Sequence, residues 1–302
     1  MSNDFSTQLP SVERSGSLQG VLPDLPTSGG RRWFVTGSSR GLGRDIVVAA
    51  LKAGDKVFAT ARNPAQLDDL VKEYPNLITG QLDVNDPDAC AKSLTTAAEK
   101  LGGIDVVCNN AGYANLASVE DMEIADFKQQ FDTNFFGTLY VSKAAIPYLR
   151  KNGGGHILQI CTLGSRLGVP GLTAYGSAKW AVCGFSKSLN VELKPFGIHV
   201  VTLQPGGMRT DWSGSSMDIP KISDGYEPTI GHMATMLRAY NGKEPTDPAK
   251  LGEICVRLSR HPDPPVELLI GADAVHHAAE AAQTRKGNDE TWKAVSLSAG
   301  YD

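Results

Sequence analysis

The sequence predicts an α/β fold built on a single doubly wound parallel sheet with helices on both faces, and two observations carry that prediction. From Arg31 onward, short apolar runs alternate with helical stretches, and the first run empties directly into a glycine-rich turn. Such alternation argues for βαβ units, and right-handed crossovers then place helices on both sides of a parallel sheet. The series of units is unbroken to about residue 205, which leaves no room for a second domain, so one domain is expected over 31–302.

Taken in order, residues 1–30 are rich in Ser, Pro, Gly and Asp without apolar periodicity, and a disordered N-terminal arm is expected there. Strands are predicted at 33–35, 56–59, 77–82, 105–108, 156–161 and 198–203, with helices at about 42–53, 64–74, 86–101, 122–151 and 174–194. Residues 206–245 read as irregular, interrupted by Gly214, Pro220, Gly225 and Pro228, and 207–245 is the expected lid over a substrate. A helix at about 247–259, a short apolar run at 266–270 and a helical stretch around 273–286 complete the chain.

A net charge of −4 provides no basic field for nucleic acid or an anionic membrane. No apolar run approaches the ~18 residues needed to span a bilayer, and the first residues lack a signal-peptide layout, so a cytoplasmic protein is expected. The five cysteines are scattered and odd in number, which favours buried reduced thiols over a disulfide framework; Cys161 is read as a packing thiol. The six histidines show no ligand spacing, and no metal site is expected.

The first strand runs into Thr36, Gly37, Ser38, Ser39, Arg40, Gly41, Leu42 and Gly43, where a helix opens. Strand, glycine loop and helix N-terminus together present backbone N–H groups to a pyrophosphate, and glycines let the backbone approach it. In dinucleotide folds an acid about 20 positions on holds the ribose 2′-OH, whereas an arginine accommodates a 2′-phosphate. Here Arg62 stands nineteen positions after Gly43, and Arg40 lies within the loop. Two guanidinium groups converging on one phosphate favour NADP(H) over NAD(H); the plainer alternative is two solvated surface arginines.

Within the helix at 174–194, Tyr175 and Lys179 are four apart and share a face. A free phenol titrates near ~10, and a neighbouring ammonium is expected to lower that value, as proton transfer to a carbonyl requires.

Four motifs in order carry a resemblance to the one-domain branch of the short-chain dehydrogenase/reductase family. They are Thr36 with Gly41 and Gly43; Asn109-Asn110-Ala111-Gly112; Tyr175 with Lys179; and Pro205-Gly206 leading to Thr210. The likeness spans about 31–270, and a weaker one continues through 274–302 to members that have a Trp and a Ser-rich end, here Trp292 and Ser296 to Ser298. It implies a Rossmann-type fold, an NADP(H) cofactor, a carbonyl or alcohol substrate of lipophilic or secondary-metabolite type, and a homodimer or homotetramer built through the helices at 122–151 and 174–194. It further implies that Asp83 and Val84 border the adenine, that Asn110, Ala111 and Gly112 stabilise the sheet and touch the adenine-side ribose, and that Asn134 anchors a proton-relay water. Pro205, Gly206, Met208 and Thr210 face the nicotinamide half, and Lys179 also holds its ribose.

One position departs from the family. The usual serine thirteen residues before the tyrosine is Thr162, which keeps the hydroxyl while adding a methyl and a stiffer χ1. It is read as the working substitute, with Ser165 the nearest other hydroxyl. The resemblance implies hydride transfer to a carbonyl carbon, Thr162 polarising the oxygen, Tyr175 donating the proton, and Lys179 with Asn134 replenishing it. Epimerisation, dehydration or cyclisation on the same site, and a silent NADP-binding sensor, remain alternatives.

Overall fold

The computed structural model describes residues 21–26, 30–214 and 217–301. Most of the expected N-terminal arm, 1–20 and 27–29, lies outside those residues. Residues 21–26 lie against the body, where Arg257 Nε donates to the Pro23 carbonyl at 2.5 Å and Leu22 packs on the core.

Seven strands form one parallel sheet in the order β3-β2-β1-β4-β5-β6-β7: β1 Arg32–Val35, β2 Lys56–Ala61, β3 Leu77–Gln81, β4 Val106–Asn109, β5 Gly155–Ile160, β6 Ile198–Pro205 and β7 Glu267–Ile270. The expected doubly wound sheet is therefore present, with the short run at 266–270 as its last strand. The chain builds outward from β1 to β3, then returns beside β1 with β4 and builds the other way. That reversal opens a crevice at the carboxyl ends of β1 and β4, the place where such sheets bind ligands.

Strand residues alternate between two cores, because successive side chains point to opposite faces. Trp33 and Val35 join one cluster with Ile46 of α1 (Gly41–Lys52) and Leu251 and Cys255 of α8 (Pro248–Leu258). Phe34 joins the other with Leu94 of α3 (Pro87–Leu101), Val141 of α5 (Gly137–Lys151) and Leu189 of α6 (Thr173–Leu193). Both faces are thus covered, which is why most strand positions are apolar. The fully buried Asp55 carboxylate ties this framework together: it accepts from Trp33 Nε1 at 2.9 Å, Arg31 N at 3.0 Å and Arg260 Nη2 at 2.6 Å.

Three helical expectations change in the structure. The helix expected at 122–151 is α4 (Ile124–Phe131) and α5 joined by one widened π-type turn, Asp132–Phe136. Residues 207–245 are only partly irregular: α7 spans His232–Tyr240, preceded by a widened turn at Glu227–Gly231. Its apolar positions Met233, Met236, Leu237 and Tyr240 have helical spacing, a signal outweighed in sequence by the surrounding Gly and Pro. The last helix, α9, runs Ala272–Leu297, well past the expected end, with most of its second half exposed. A short α2 (Asp68–Glu73) completes the set.

His156 on β5 supplies a stability prediction. Its Nε2 lies 3.1 Å from the His261 carbonyl, and burial pushes its pKa down to about 4 from 6.5. A depressed folded-state value means that the unfolded chain binds the extra proton, so the stability is present above pH 6.5 and is lost as pH falls toward about 4. The loss is up to about 3 kcal/mol. Thermal melting between pH 7.5 and 4.5 should drop more steeply for the wild type than for His156→Leu; parallel curves would remove His156 as the cause.

Candidate active site

The turn after β1 is braced by the turn after β4. Thr36 Oγ1 accepts from the Asn110 and Ala111 amides at 3.1 Å each, and Asn110 Nδ2 donates to the carbonyls of Thr36 at 3.1 Å and Gly37 at 3.0 Å. Gly37 and Gly41 have φ of +65° and +53°. A Cβ on Gly43 would stand 2.3 Å from the Gly37 carbonyl oxygen and 2.4 Å from Asn110 Nδ2, so helix and loop meet at a distance only glycine permits. Arg40 at the N-cap of α1 makes no side-chain capping bond, which leaves the amides of Gly41, Leu42 and Gly43 presented at the crevice. The Leu42 side chain is in the core, so its contribution there is its backbone. This cradle fits a pyrophosphate.

Arg62 is the first residue past β2 and is exposed. The expected convergence with Arg40 is not what the structure shows: Arg40 Nη1 pairs with Asp211 Oδ2 at 3.3 Å, on the β6 side of the crevice. The cause is simple electrostatics, an exposed cation drawn to the nearest carboxylate. Past β3, Asp83 is exposed with Oδ1 accepting from the Asn85 amide, and Val84 is buried against Gly137.

Tyr175 and Lys179 are both buried on α6, and Thr162 follows the end of β5, where its Oγ1 caps the turn Leu163–Ser165. Thr162 and Tyr175 line the same cavity. Lys179 Nζ donates to the Ile160 carbonyl at 2.8 Å and sits 5.7 Å from the centre of the Tyr175 ring. Burial raises the Tyr175 pKa above the ordinary phenol value, with Thr162 pulling the other way, and burial lowers that of Lys179. The expectation that Lys179 dominates and lowers the phenol is thereby corrected: desolvation is the larger effect, and the ammonium is directed at a backbone carbonyl.

Asn134 lies in the widened turn and is fully buried. Its Nδ2 donates to the carbonyls of Tyr113 at 2.9 Å and Gln130 at 2.8 Å, whereas its Oδ1 is buried and makes no hydrogen bond. A Cβ on Gly112 would come 2.4 Å from that oxygen and 3.4 Å from Lys179 Nζ, so Gly112 separates the two polar ends by the minimum spacing. Ser165 is turned away: its Oγ donates to the Thr162 carbonyl at 2.6 Å.

Beyond β6, Gly206 passes against Asp273, and the Gly207 amide donates to Asp273 Oδ2 at 2.6 Å. Met208 bridges to Thr246, and Thr210 lies beside Gly41, which closes this loop on the glycine turn. Thr162, Tyr175, Pro205 and Gly206 line one cavity of about 1140 Å³. Its other walls are mainly apolar, from Leu167, Leu172, Trp212, Met233, Met236 and Leu237, with Trp212 5.4 Å from the Tyr175 ring centre. The α7 residues and Asp273 were not expected from sequence, since no local motif marks them. On α9, His276, His277 and Glu280 place their ligand-type atoms within 4.8 Å of one another; the ion pairs at 3.4 and 3.0 Å are the i,i+4 and i,i+3 contacts of an ordinary helix. No helix among the described residues is long and apolar enough to cross a membrane.

Known proteins share this fold. The short chain dehydrogenase family matches residues 32–219. Oxidoreductase BOA17 of Botryotinia fuckeliana is 48% identical over 267 residues, covering 88% of this chain and 97% of that protein. The crystal structure of a short-chain dehydrogenase from Streptomyces avermitilis superposes with a TM-score of 0.85 at 30% identity, covering 90% of this chain and 100% of that one. The closed form of serine dehydrogenase complexed with NADP+ superposes with a TM-score of 0.69 at 26% identity, covering 79% and 93%. The chain belongs to the short-chain dehydrogenase family, oxidoreductases that use NAD(P)(H) on small-molecule substrates.

Proposed function

We propose that the protein is an NADPH-dependent reductase of lipophilic ketones or aldehydes, working also in reverse on the alcohol. The observation that carries this reading is that Thr162 and Tyr175 line one mainly apolar cavity, with Lys179 and Asn134 close behind them. The cofactor, when bound, supplies the hydride that adds to the carbonyl carbon. Tyr175 Oη gives its proton to the carbonyl oxygen, and Thr162 donates a hydrogen bond to the same oxygen. Burial holds Tyr175 in its protonated form at neutral pH, the form reduction requires. Lys179 Nζ and the unpartnered Asn134 Oδ1 line the route by which the phenol regains its proton.

The amides of Gly41, Leu42 and Gly43 would hold the pyrophosphate, with Gly37 and Ser39 shaping the turn. Asp83 and Val84 would flank the adenine and Asn110, Ala111 and Gly112 its ribose, while Pro205, Gly206, Met208 and Thr210 would face the nicotinamide half. Arg62 is the principal partner of the 2′-phosphate, and Arg40 joins it by exchanging Asp211, a cheap exchange because that ion pair is exposed. NADP+ in the similar serine dehydrogenase complex is consistent with this choice. Residues 207–245 would act as the substrate lid, and exposed Ile124 on α4 and Val191 on α6 suit the expected dimer or tetramer.

The test is NADPH oxidation across a panel of apolar ketones, quinones and small polar aldehydes; no turnover with any carbonyl would overturn the reading in favour of the sensor or non-redox alternatives. Arg62→Asp should reduce NADPH affinity about tenfold or more and remove the preference over NADH. Equal wild-type affinity for both cofactors would sink the choice of NADP.

A further inference from the structure

Directly beneath the catalytic residues lies a feature that carbonyl reduction does not use. Cys161, between Ile160 and Thr162, and Cys183, one turn past Lys179 on α6, bring their sulfurs to 2.8 Å. Both are buried free thiols. Cys161 Sγ also faces the Lys179 carbonyl at 3.2 Å, and Cys183 Sγ lies 3.2 Å from Ser165 Oγ and 3.4 Å from Gln204 Nε2, a donor. We propose that Cys161 and Cys183 are a reversible disulfide pair that lets an oxidant such as hydrogen peroxide switch the site off. The sulfurs need to approach by less than about 1 Å to reach the bonded distance of about 2.05 Å.

The chemistry balances with one peroxide. The Cys183 sulfur attacks a peroxide oxygen, the O–O bond breaks, and the displaced hydroxide leaves as water with the thiol proton. The Cys161 sulfur then displaces the resulting sulfenic hydroxyl as a second water, forming the S–S bond. Two thiols give up two electrons and two protons, and the peroxide is reduced to two waters. Cys183 is the better attacking group, since the neighbouring Cys161 hydrogen bond pulls its pKa down, whereas burial pushes that of Cys161 up. Peroxide is small, and Thr162 on the cavity floor is the residue next to Cys161.

Position explains the consequence. The bond would close a loop from Cys161 to Cys183 that contains Thr162, Tyr175 and Lys179. Drawing Cys161 toward α6 moves both Ile160, whose carbonyl holds Lys179, and Thr162, which lines the cavity with Tyr175. A displacement of that order in a reaction centre lowers rate by roughly tenfold to a hundredfold. This consequence rests on the proposed reductase reading; the crosslink itself does not.

The experiment treats the full chain with hydrogen peroxide, then maps alkylated and crosslinked peptides by mass spectrometry while following NADPH oxidation. The expected result is a peptide pair joining Cys161 to Cys183 and lighter by two hydrogens, a fall in turnover of about tenfold or more, and recovery of both with dithiothreitol. Cys183→Ser, and separately Cys161→Ala, should form no link and keep their turnover through the same treatment. Both cysteines remaining alkylatable while other thiols oxidise overturns the proposal, and so does a complete link with unchanged turnover. A link formed in a protein that reduces no carbonyl at all would overturn the reductase reading and leave the disulfide pair standing.

Discussion

Tyr175→Phe should leave NADPH binding unchanged and lower kcat by about 10²–10⁴, the range supplied by a positioned acid or base. The substitution removes one oxygen and nothing else. The ring keeps its contact with Trp212 and its place in the apolar cluster around Leu116 and Met233, so the cavity retains its shape. Affinity measured by NADPH fluorescence and turnover measured on the best carbonyl substrate separate the two effects. A variant keeping more than about a tenth of the wild-type rate would show that the proton comes from elsewhere, since general acid catalysis is worth far more. The wild-type pH profile adds a second check. Because burial raises the Tyr175 pKa, the acid form persists through neutral and mildly alkaline pH, so reduction should run flat to about the free phenol value near 10 while alcohol oxidation rises with pH. Reduction falling off near pH 7 would mean that the phenol is acidic in the working enzyme.

Thr162→Ala should lower kcat by about 10²–10³, the effect of removing one oriented donor at a developing oxyanion, with little change in NADPH affinity. Two features of this hydroxyl support the size of the effect: Thr162 lines the cavity together with Tyr175, and its Oγ1 accepts from the Gly164 amide at 3.2 Å, which fixes its direction. Thr162→Ser retains the hydroxyl and its bond to the Gly164 amide and should keep or improve activity. Ser165→Ala should stay within about a factor of a few, because the Ser165 hydroxyl is spent on the Thr162 carbonyl and sits beside Cys183 rather than on the cavity. Crippled turnover in Ser165→Ala with a mild Thr162→Ala would transfer the role to Ser165.

Where the sequence was legible, the controlling physics was local. Strands buried on both faces are mostly apolar, and so 33–35 and, His199 and Thr202 apart, 198–203 announced themselves. The glycines at 37, 41 and 43 were readable because a Cβ there meets backbone at contact distance or demands a left-handed φ. Tyr175 and Lys179 were readable because four residues return a helix to the same face.

What the tertiary structure alone decided are effects between residues far apart in the chain. Nothing near Asn134 announces the widened turn that carries it, and its unpartnered oxygen is defined by Gly112 on another element. Arg40 pairs with Asp211, 171 residues away, a contact that no local pattern in the sequence announces. The proton affinity of Tyr175 follows burial rather than its helical neighbour, because the desolvation of a phenol depends on everything packed around it. The cavity over it is roofed by α7, whose helical signal Gly and Pro obscured. The sequence by itself determined the sheet, the glycine turn after β1 and the shared helix face of Tyr175 and Lys179, since each follows from backbone sterics or helical period. Charge partners, proton affinities and the meeting of Cys161 with Cys183 required the folded chain, since electrostatics and desolvation depend on distance in space and not on distance in sequence.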